Sequence, residues 1–235
     1  MRSLILAATC VLVATSTLSA AEKPLKVAMV SGSLEYQSNE SLTAFRKHLE
    51  KHYNVKCRMA VRRTKDDLPG LEILDDCDVM LLFTRRMTID GEQLARIKKY
   101  CAAGRPVVGV RTASHGLQNW LALDKDVLGG NYHGHFGNGP VTKVEITEKG
   151  KTHPILRGVE PFTSVGSLYK NTPIADDTTL LLTGTTKDAT EPVAWTRTHK
   201  GGRVFYTSLG HMEDFKNPHF NRMLANALFW AAKRE

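Results

Sequence analysis

Apolar runs separated by amphipathic stretches set the plan of this chain. Lys26 to Val30, Val55 to Val61, Val79 to Phe83 and Val107 to Val110 are short and largely apolar, the pattern of strands buried on both faces. Between them, Ser38 to Tyr53 carries Leu42, Phe45 and Leu49 at three- and four-residue spacing, with Ser38 as the expected N-cap and Glu40 in the first turn. Gly91 to Ala103 repeats Leu94, Ile97 and Tyr100-Cys101, and Gly104 followed by Pro106 stops it. Both read as helices with one apolar stripe. Strand and helix in alternation predict a mainly parallel sheet covered on both sides.

Beyond the Gly-rich stretch GGNYHGHFGNGP at 129–140, the pattern turns to short strands, Val141 to Ile146 and Thr179 to Leu182. Pro192 to Thr198 and Arg203 to Ser208 read as a hairpin joined by His199-Lys200-Gly201-Gly202. Asn221 to Ala232 closes the series as a helix with a broad apolar face. No repeat, low-complexity tract or long linker divides the chain, so residues 22–235 read as one domain.

The first residues change the picture of where this domain works. Arg2, the apolar run Leu4 to Ala14, and the small residues Ser19 and Ala21 have the form of a secretory signal peptide cleaved after residue 21. The run is shorter than the roughly 20 apolar residues of a membrane span. A periplasmic or secreted protein is expected, free of the membrane after cleavage. The remaining cysteines, Cys57, Cys77 and Cys101, form no C-x-x-C pair, and read as small buried residues, with a Cys57–Cys77 bridge as the lesser alternative. The net charge of +8 comes from scattered doublets such as Arg62-Arg63 and Lys98-Lys99. With no clustered basic face, no nucleic-acid partner is expected.

Four polar clusters each follow directly on an apolar strand: Ser31-Gly32-Ser33, Arg85-Arg86, Arg111 to His115, and His211-Met212-Glu213. In open α/β sheets ligands sit beyond the carboxyl ends of the parallel strands, so these clusters are expected to share one rim and one pocket.

The elbow-like VVGVRTASHGLQ, the segment THPILRGV at 152–159, and above all PVAWTRTHKGGRVFYTSLGHMEDFKNPHFNRMLANALFWA at 192–231 resemble the ThuA-like family. That family is named for trehalose utilisation and lies in the class I glutamine amidotransferase-like superfamily. The resemblance implies an α/β fold, a flavodoxin-like three-layer sandwich with a pocket at the elbow, serving carbohydrate derivatives. It also marks departures. The elbow position of the nucleophilic cysteine is Arg111 here, and an arginine, always protonated, cannot attack a carbonyl. Glutamine hydrolysis is therefore excluded. A histidine that many ThuA-like chains carry at this position is likewise Arg111, and the acidic pair before Tyr169 is Ser167-Leu168. His211 and Glu213 match the superfamily's His-x-Glu.

The residues then take roles. His211, steered by Glu213, and His115, at the start of an expected helix after the elbow, are the acid/base candidates. Arg111 is the electrostatic clamp, paired with Glu213 or another carboxylate, or holding a carboxylate or polarised oxygen of the ligand. Ser31, Arg85, Ser114, Tyr132, His133, His135 and Glu213 are expected to contact a small carbohydrate ligand, and Tyr36 and Trp120 to stack on a sugar face. Three readings compete with acid/base chemistry on a sugar or keto-sugar. One is a non-catalytic carbohydrate-binding module in which Arg111 and Glu213 lock each other. Another is a serine hydrolase at Ser114, against which Thr112 stands where a tight elbow needs a small residue. The last is a metal-dependent hydrolase in which His133 and His135 hold zinc with a third ligand, His115 or His211.

Overall fold

The computed structural model describes residues 23–137 and 141–235, so the expected signal peptide and part of the Gly-rich stretch lie outside the described residues. Eleven strands are present among the described residues: β1 (Leu25–Gly32), β2 (Val55–Val61), β3 (Val79–Thr84), β4 (Val107–Val110), β5 (His135–Phe136), β6 (Thr142–Ile146), β7 (Phe162–Ser164), β8 (Leu168–Tyr169), β9 (Thr179–Thr185), β10 (Thr190–His199) and β11 (Gly202–Thr207). The helices are α1 (Ser38–His52), α2 (Gly91–Ala102), the single turn α3 (Glu148–Lys151) and α4 (Pro218–Ala231). Nine strands form one sheet in the order β2-β1-β3-β4-β11-β10-β9-β6-β7, and β5 and β8 pair separately. The first five in that order are parallel and the rest antiparallel.

Continuous apolar runs became the central strands because both faces are covered. All six residues of β3 and all four of β4 are buried. On one face Leu42, Phe45 and Leu49 of α1 join Met223, Leu224 and Leu228 of α4 over Met29, Leu81 and Phe83. On the other, Leu94 and Ile97 of α2 join Leu71, Val127 and Leu128 over Val30, Met80 and Leu82. The result is the expected three-layer sandwich. No helix among the described residues is long and apolar enough to cross a membrane. Cys57, Cys77 and Cys101 are buried free thiols, so the Cys57–Cys77 bridge is not formed, and burial pushes Cys57 and Cys101 up to about 12.

Two local expectations fail for identifiable reasons. Ser38 does not cap α1: Gln37 holds the capping position in a left-handed conformation (φ 44) without a side-chain bond. The Ser38 hydroxyl instead accepts from the Ser33 amide at 2.8 Å and pairs with the Ser31 hydroxyl at 2.8 Å, bracing the β1 loop. The helix expected after the elbow is also missing. Arg111 to His115 form one 3-10 turn, and the chain is then captured by the β3 loop, with Met87 N donating to Gly116 O (2.8 Å) and Gln118 N to Met87 O (2.8 Å).

Candidate functional site

Strand order reverses between β1 and β3, the crevice where doubly wound sheets bind ligands, because the loops leave in opposite directions there. The β1 loop brings Glu35 and Tyr36 to this crevice and the β3 loop brings Arg85 and Arg86. Glu35 and Arg85 pair across it. The β4 elbow and the segment after β11 complete the rim, so the four clusters do share one edge of the sheet.

Arg111 sits where the elbow bends, with a left-handed backbone (φ 46) that is strained for any residue bearing a Cβ. Its side chain is 1 % exposed. The expected carboxylate partner is not there. Nη1 donates to Ser208 O at 2.8 Å, and Nη2 to the Tyr36 hydroxyl at 3.2 Å and Ser167 O at 3.4 Å. The guanidinium lies 4.4 Å from the Tyr36 ring centre and 4.7 Å from that of Tyr169. A planar, weakly hydrated cation can be held this way, by carbonyls at its edge and aromatic faces above and below. Burial works against its charge, but Tyr169, Tyr36 and the Asp214 carboxylate outweigh that effect and hold it above the ordinary arginine range. Gly166 lets the chain pass close to the guanidinium: a Cβ there would fall 2.8 Å from Nη1 and displace the head from its partners. Nε keeps no partner.

The segment after β11 is organised by Asp214, which the sequence reading passed over in favour of its neighbour. One Asp214 oxygen accepts from Gly210 N (2.8 Å), His211 N (2.9 Å) and Ser164 Oγ (2.9 Å). Gly210 has φ 123, and a Cβ there would meet Val110 Cγ1 at 2.6 Å, so the turn packs directly on the elbow strand. Glu213 faces outward and pairs with Lys216 at 2.7 Å, so it neither clamps Arg111 nor steers His211 with its carboxylate. Its amide does contact the imidazole, donating to His211 Nδ1 at 3.3 Å. With Nδ1 accepting, a neutral His211 ring carries its proton on Nε2. The ring is half-buried and packs edge-on against Tyr36, centroids 6.1 Å apart. Tyr36 thus lies between His211 and Arg111 and touches both.

His115 occupies the other side of the cluster. Its ring stacks on Tyr132 at 4.2 Å and approaches Tyr169 at 5.9 Å. The helix dipole invoked from sequence is absent, yet the charged form is still disfavoured: burial, then Arg85, Arg86, Arg111 and His135, drives His115 down to about 3. It is a neutral hydrogen-bonding group at working pH and a poor base. Ser114 Oγ lies 3.1 Å from His115 Nδ1, so its ring partner is this weak base rather than His211. That removes the activation a serine nucleophile needs.

Tyr132 is held from beneath by Asp124, whose Oδ2 accepts its amide at 2.8 Å. Asp124 is buried in the π-helical turn Leu123–Leu128, and desolvation pushes its carboxyl up to about 6. The Gly-rich stretch is no free lid at this end: His133 N donates to Lys170 O (3.1 Å), Lys170 N to Gly134 O (2.9 Å), and β5 pairs with β8. His133 and His135 are exposed, and their Nδ1 atoms contact Asn131 O (2.7 Å) and Gly137 O (2.9 Å). No group of three His, Cys, Asp or Glu among the described residues is placed to hold a metal ion, so the H-x-H pair gains no third ligand. Ser31 is buried and spent on Ser38. Trp120 lies on the α2 flank beside Lys98, away from this cluster.

The rim is thus an aromatic assembly whose outer members keep part of their surface open to solvent. Tyr36, Tyr132 and His211 are half-buried over an interior of Arg111, His115 and Tyr169. A surface cleft of about 320 Å³ lies instead between α2 and Arg105, beside the starts of β3 and β4, but no reactive groups converge in it. Its Arg96 is neutralised by Asp75 and Glu92.

Solved structures share this architecture. A ThuA-like protein of Parabacteroides merdae superposes with a TM-score of 0.71 at 16 % identity, covering 89 % of this chain and 90 % of that one. A ThuA-like protein of Bacteroides uniformis gives 0.67 at 19 %, covering 91 % and 94 %. A glutamine amidotransferase of Thermotoga maritima gives 0.54 at 12 %, covering 90 % and 100 %. At such identities the likeness concerns the fold. No curated protein matches the chain. The family model ThuA, described as trehalose utilisation, matches residues 26–231, and with the elbow and sheet found here the chain belongs to the ThuA family.

Proposed function

We propose that this rim binds a sugar or sugar-derived keto compound and transforms it by proton transfer at His211, as a hydrolase, lyase or isomerase. The observation that carries the reading is the shared contact of His211 and Arg111 with Tyr36, which joins an imidazole, a fixed cation and an aromatic face at the switch crevice. An imidazole can both give and take a proton, and the Nε2 of His211 has no partner among the described residues. Tyr36 and Tyr132 offer rings to the apolar face of a sugar. Arg111, being buried, is a positioning residue: through Ser208 O and the Tyr36 hydroxyl it ties the strand end that leads to His211 to Tyr36, whose ring meets the ligand. His115 supplies a neutral hydrogen-bonding edge and takes no part in proton transfer.

Turnover and calorimetric binding against a panel of neutral, keto and acidic sugars test this. His211→Ala is expected to lose turnover about a hundredfold or more while binding stays within a few-fold. Parental rates in His211→Ala overturn the assignment, and binding without turnover by the parent chain reduces the protein to a binding module.

We propose also that the chain is exported, on the strength of Arg2, the Leu4–Ala14 run and the Ser19/Ala21 site. Mass spectrometry of the protein expressed from its full reading frame is expected to show a mature start at Glu22 outside the cytoplasm. A cytoplasmic product retaining Met1 overturns it.

A further inference from the structure

Cationic side chains gather at this crevice, and one of them, Arg86, is not used internally among the described residues. Arg85, Arg86 and Arg111 come from two adjacent strand ends, and His211 and His135 stand on the neighbouring loops. Among these arginines only Arg85 forms a direct ion pair among the described residues, with Glu35. Three other acidic groups of the cluster are committed elsewhere. Glu213 is taken by Lys216, Asp214 by two amides and the Ser164 hydroxyl, and Asp124 lies beneath Tyr132 holding its amide.

Arg86 is the most telling of the set. It is exposed, and its guanidinium has no hydrogen-bond or ion-pair partner among the described residues. Yet its backbone is fixed in a left-handed conformation (φ 47) by its amide on His115 O at 3.1 Å and by Met87 N on Gly116 O at 2.8 Å. A strained, anchored backbone carrying a free cation is costly for stability and suits a binding role. The three guanidinium groups converge electrostatically. All three act on the Tyr132 phenol and, with His135, on the His115 ring, which they help to keep neutral. Neutral His115 adds no repulsion or attraction of its own, and its Nε2 has no partner among the described residues.

We infer that the ligand of this crevice is a sugar bearing an oxyanion, a carboxylate or phosphate group, which Arg86 and Arg85 receive while the sugar ring lies against Tyr132 and Tyr36. The inference rests on the sugar-binding reading above and deepens it. Bidentate, charge-assisted contact with an oxyanion is what a free guanidinium does best. Glu35 then acts as a resident competitor, occupying Arg85 until the ligand's own oxyanion displaces it.

Calorimetry with gluconate, glucuronate, glucose 6-phosphate and glucose tests it on the intact mature chain. At least one anionic probe is expected to bind about tenfold or more tighter than glucose, with affinity falling as salt rises. Gluconate or glucuronate against glucose 6-phosphate separates carboxylate from phosphate. Arg86→Gln, at an exposed side chain, is expected to keep the parental melting temperature and weaken the anionic probe about tenfold, leaving glucose unchanged. Glu35→Gln is expected to tighten it several-fold by freeing Arg85. Neutral sugars that bind and turn over while acidic ones do not overturn this inference and leave the proposed function standing. Anionic sugars that bind without turnover do the reverse. Arg86→Gln binding the anionic probe like the parent overturns the assignment of the cation, and no binding by any probe overturns both.

Discussion

Arg111→Leu is expected to lower the unfolding free energy by about 3 kcal/mol, or roughly 6–12 °C in melting temperature for a chain of this size. Two effects oppose each other. Burying a cation without a direct ion pair costs several kcal/mol, which leucine would relieve. Against that, leucine leaves Ser208 O, Ser167 O and the Tyr36 hydroxyl without their donor, and each bond to a charged donor contributes about 1.5–3 kcal/mol. It also removes two desolvated cation–π contacts at about 2 kcal/mol each. The losses exceed the relief because the guanidinium ties three separate pieces of chain at one buried point. A backbone control separates side-chain from main-chain effects. Arg111 has φ 46, so Arg111→Gly should be about 1 kcal/mol less damaging than Arg111→Ala, although glycine is usually the worse substitute. Chemical denaturation of the three variants checks both points. Arg111→Leu within 1 kcal/mol of the parent would show that the cation holds nothing together.

How far the site was legible from sequence follows from which contacts leave a side-chain signature. The runs at Val79 and Val107 matched buried strands because burial on two faces selects apolar residues at every position. The polar tails of those strands marked the rim for the same reason: the core ends where they begin. What Arg111 meets left no mark, since two of its partners are main-chain carbonyls and the others are aromatic faces from loops 75 and 58 residues away in sequence. Sequence logic demanded a carboxylate and offered Glu213. The turn at Gly210 decided otherwise, pointing Glu213 outward and Asp214 inward, a choice of backbone conformation that no alternation pattern records.

The same limit applies to the expected helix after the elbow. Its residues suit a helix well enough, but the β3 loop captures Gly116 and Gln118 by main-chain bonds, and tertiary pairing overrides local preference. The consequence reaches the chemistry. Without that helix His115 is packed under Tyr132, and its neutrality comes from burial and arginines rather than from a dipole.

Asp124→Asn is expected to stabilise the protein at pH 7 by about 2–3 kcal/mol and to expose an acid sensitivity that the parent conceals. Asp124 titrates at about 6 when folded against 3.8 when free, because of its burial. Its stabilising contribution is therefore complete below 3.8 and lost as pH rises through 6. His115 runs the other way. Burial and the arginines hold it at about 3 against 6.5, so its contribution is complete above 6.5 and lost as pH falls towards 3. Between about pH 6 and 4 the folded state binds an extra proton at Asp124 while the unfolded state binds one at His115. The two slopes, each about 1.4 kcal/mol per pH unit, cancel. An asparagine keeps an acceptor for the Tyr132 amide but cannot titrate, so the His115 slope stands alone. Urea denaturation at pH 7, 6, 5 and 4 should show the variant losing about 1.4 kcal/mol per unit while the parent stays nearly flat, and His115→Gln should show the opposite slope. Parallel profiles for parent and Asp124→Asn would mean that the carboxyl is not held in its neutral form beneath Tyr132, and that the stack of Asp124, Tyr132 and His115 is looser than the geometry requires.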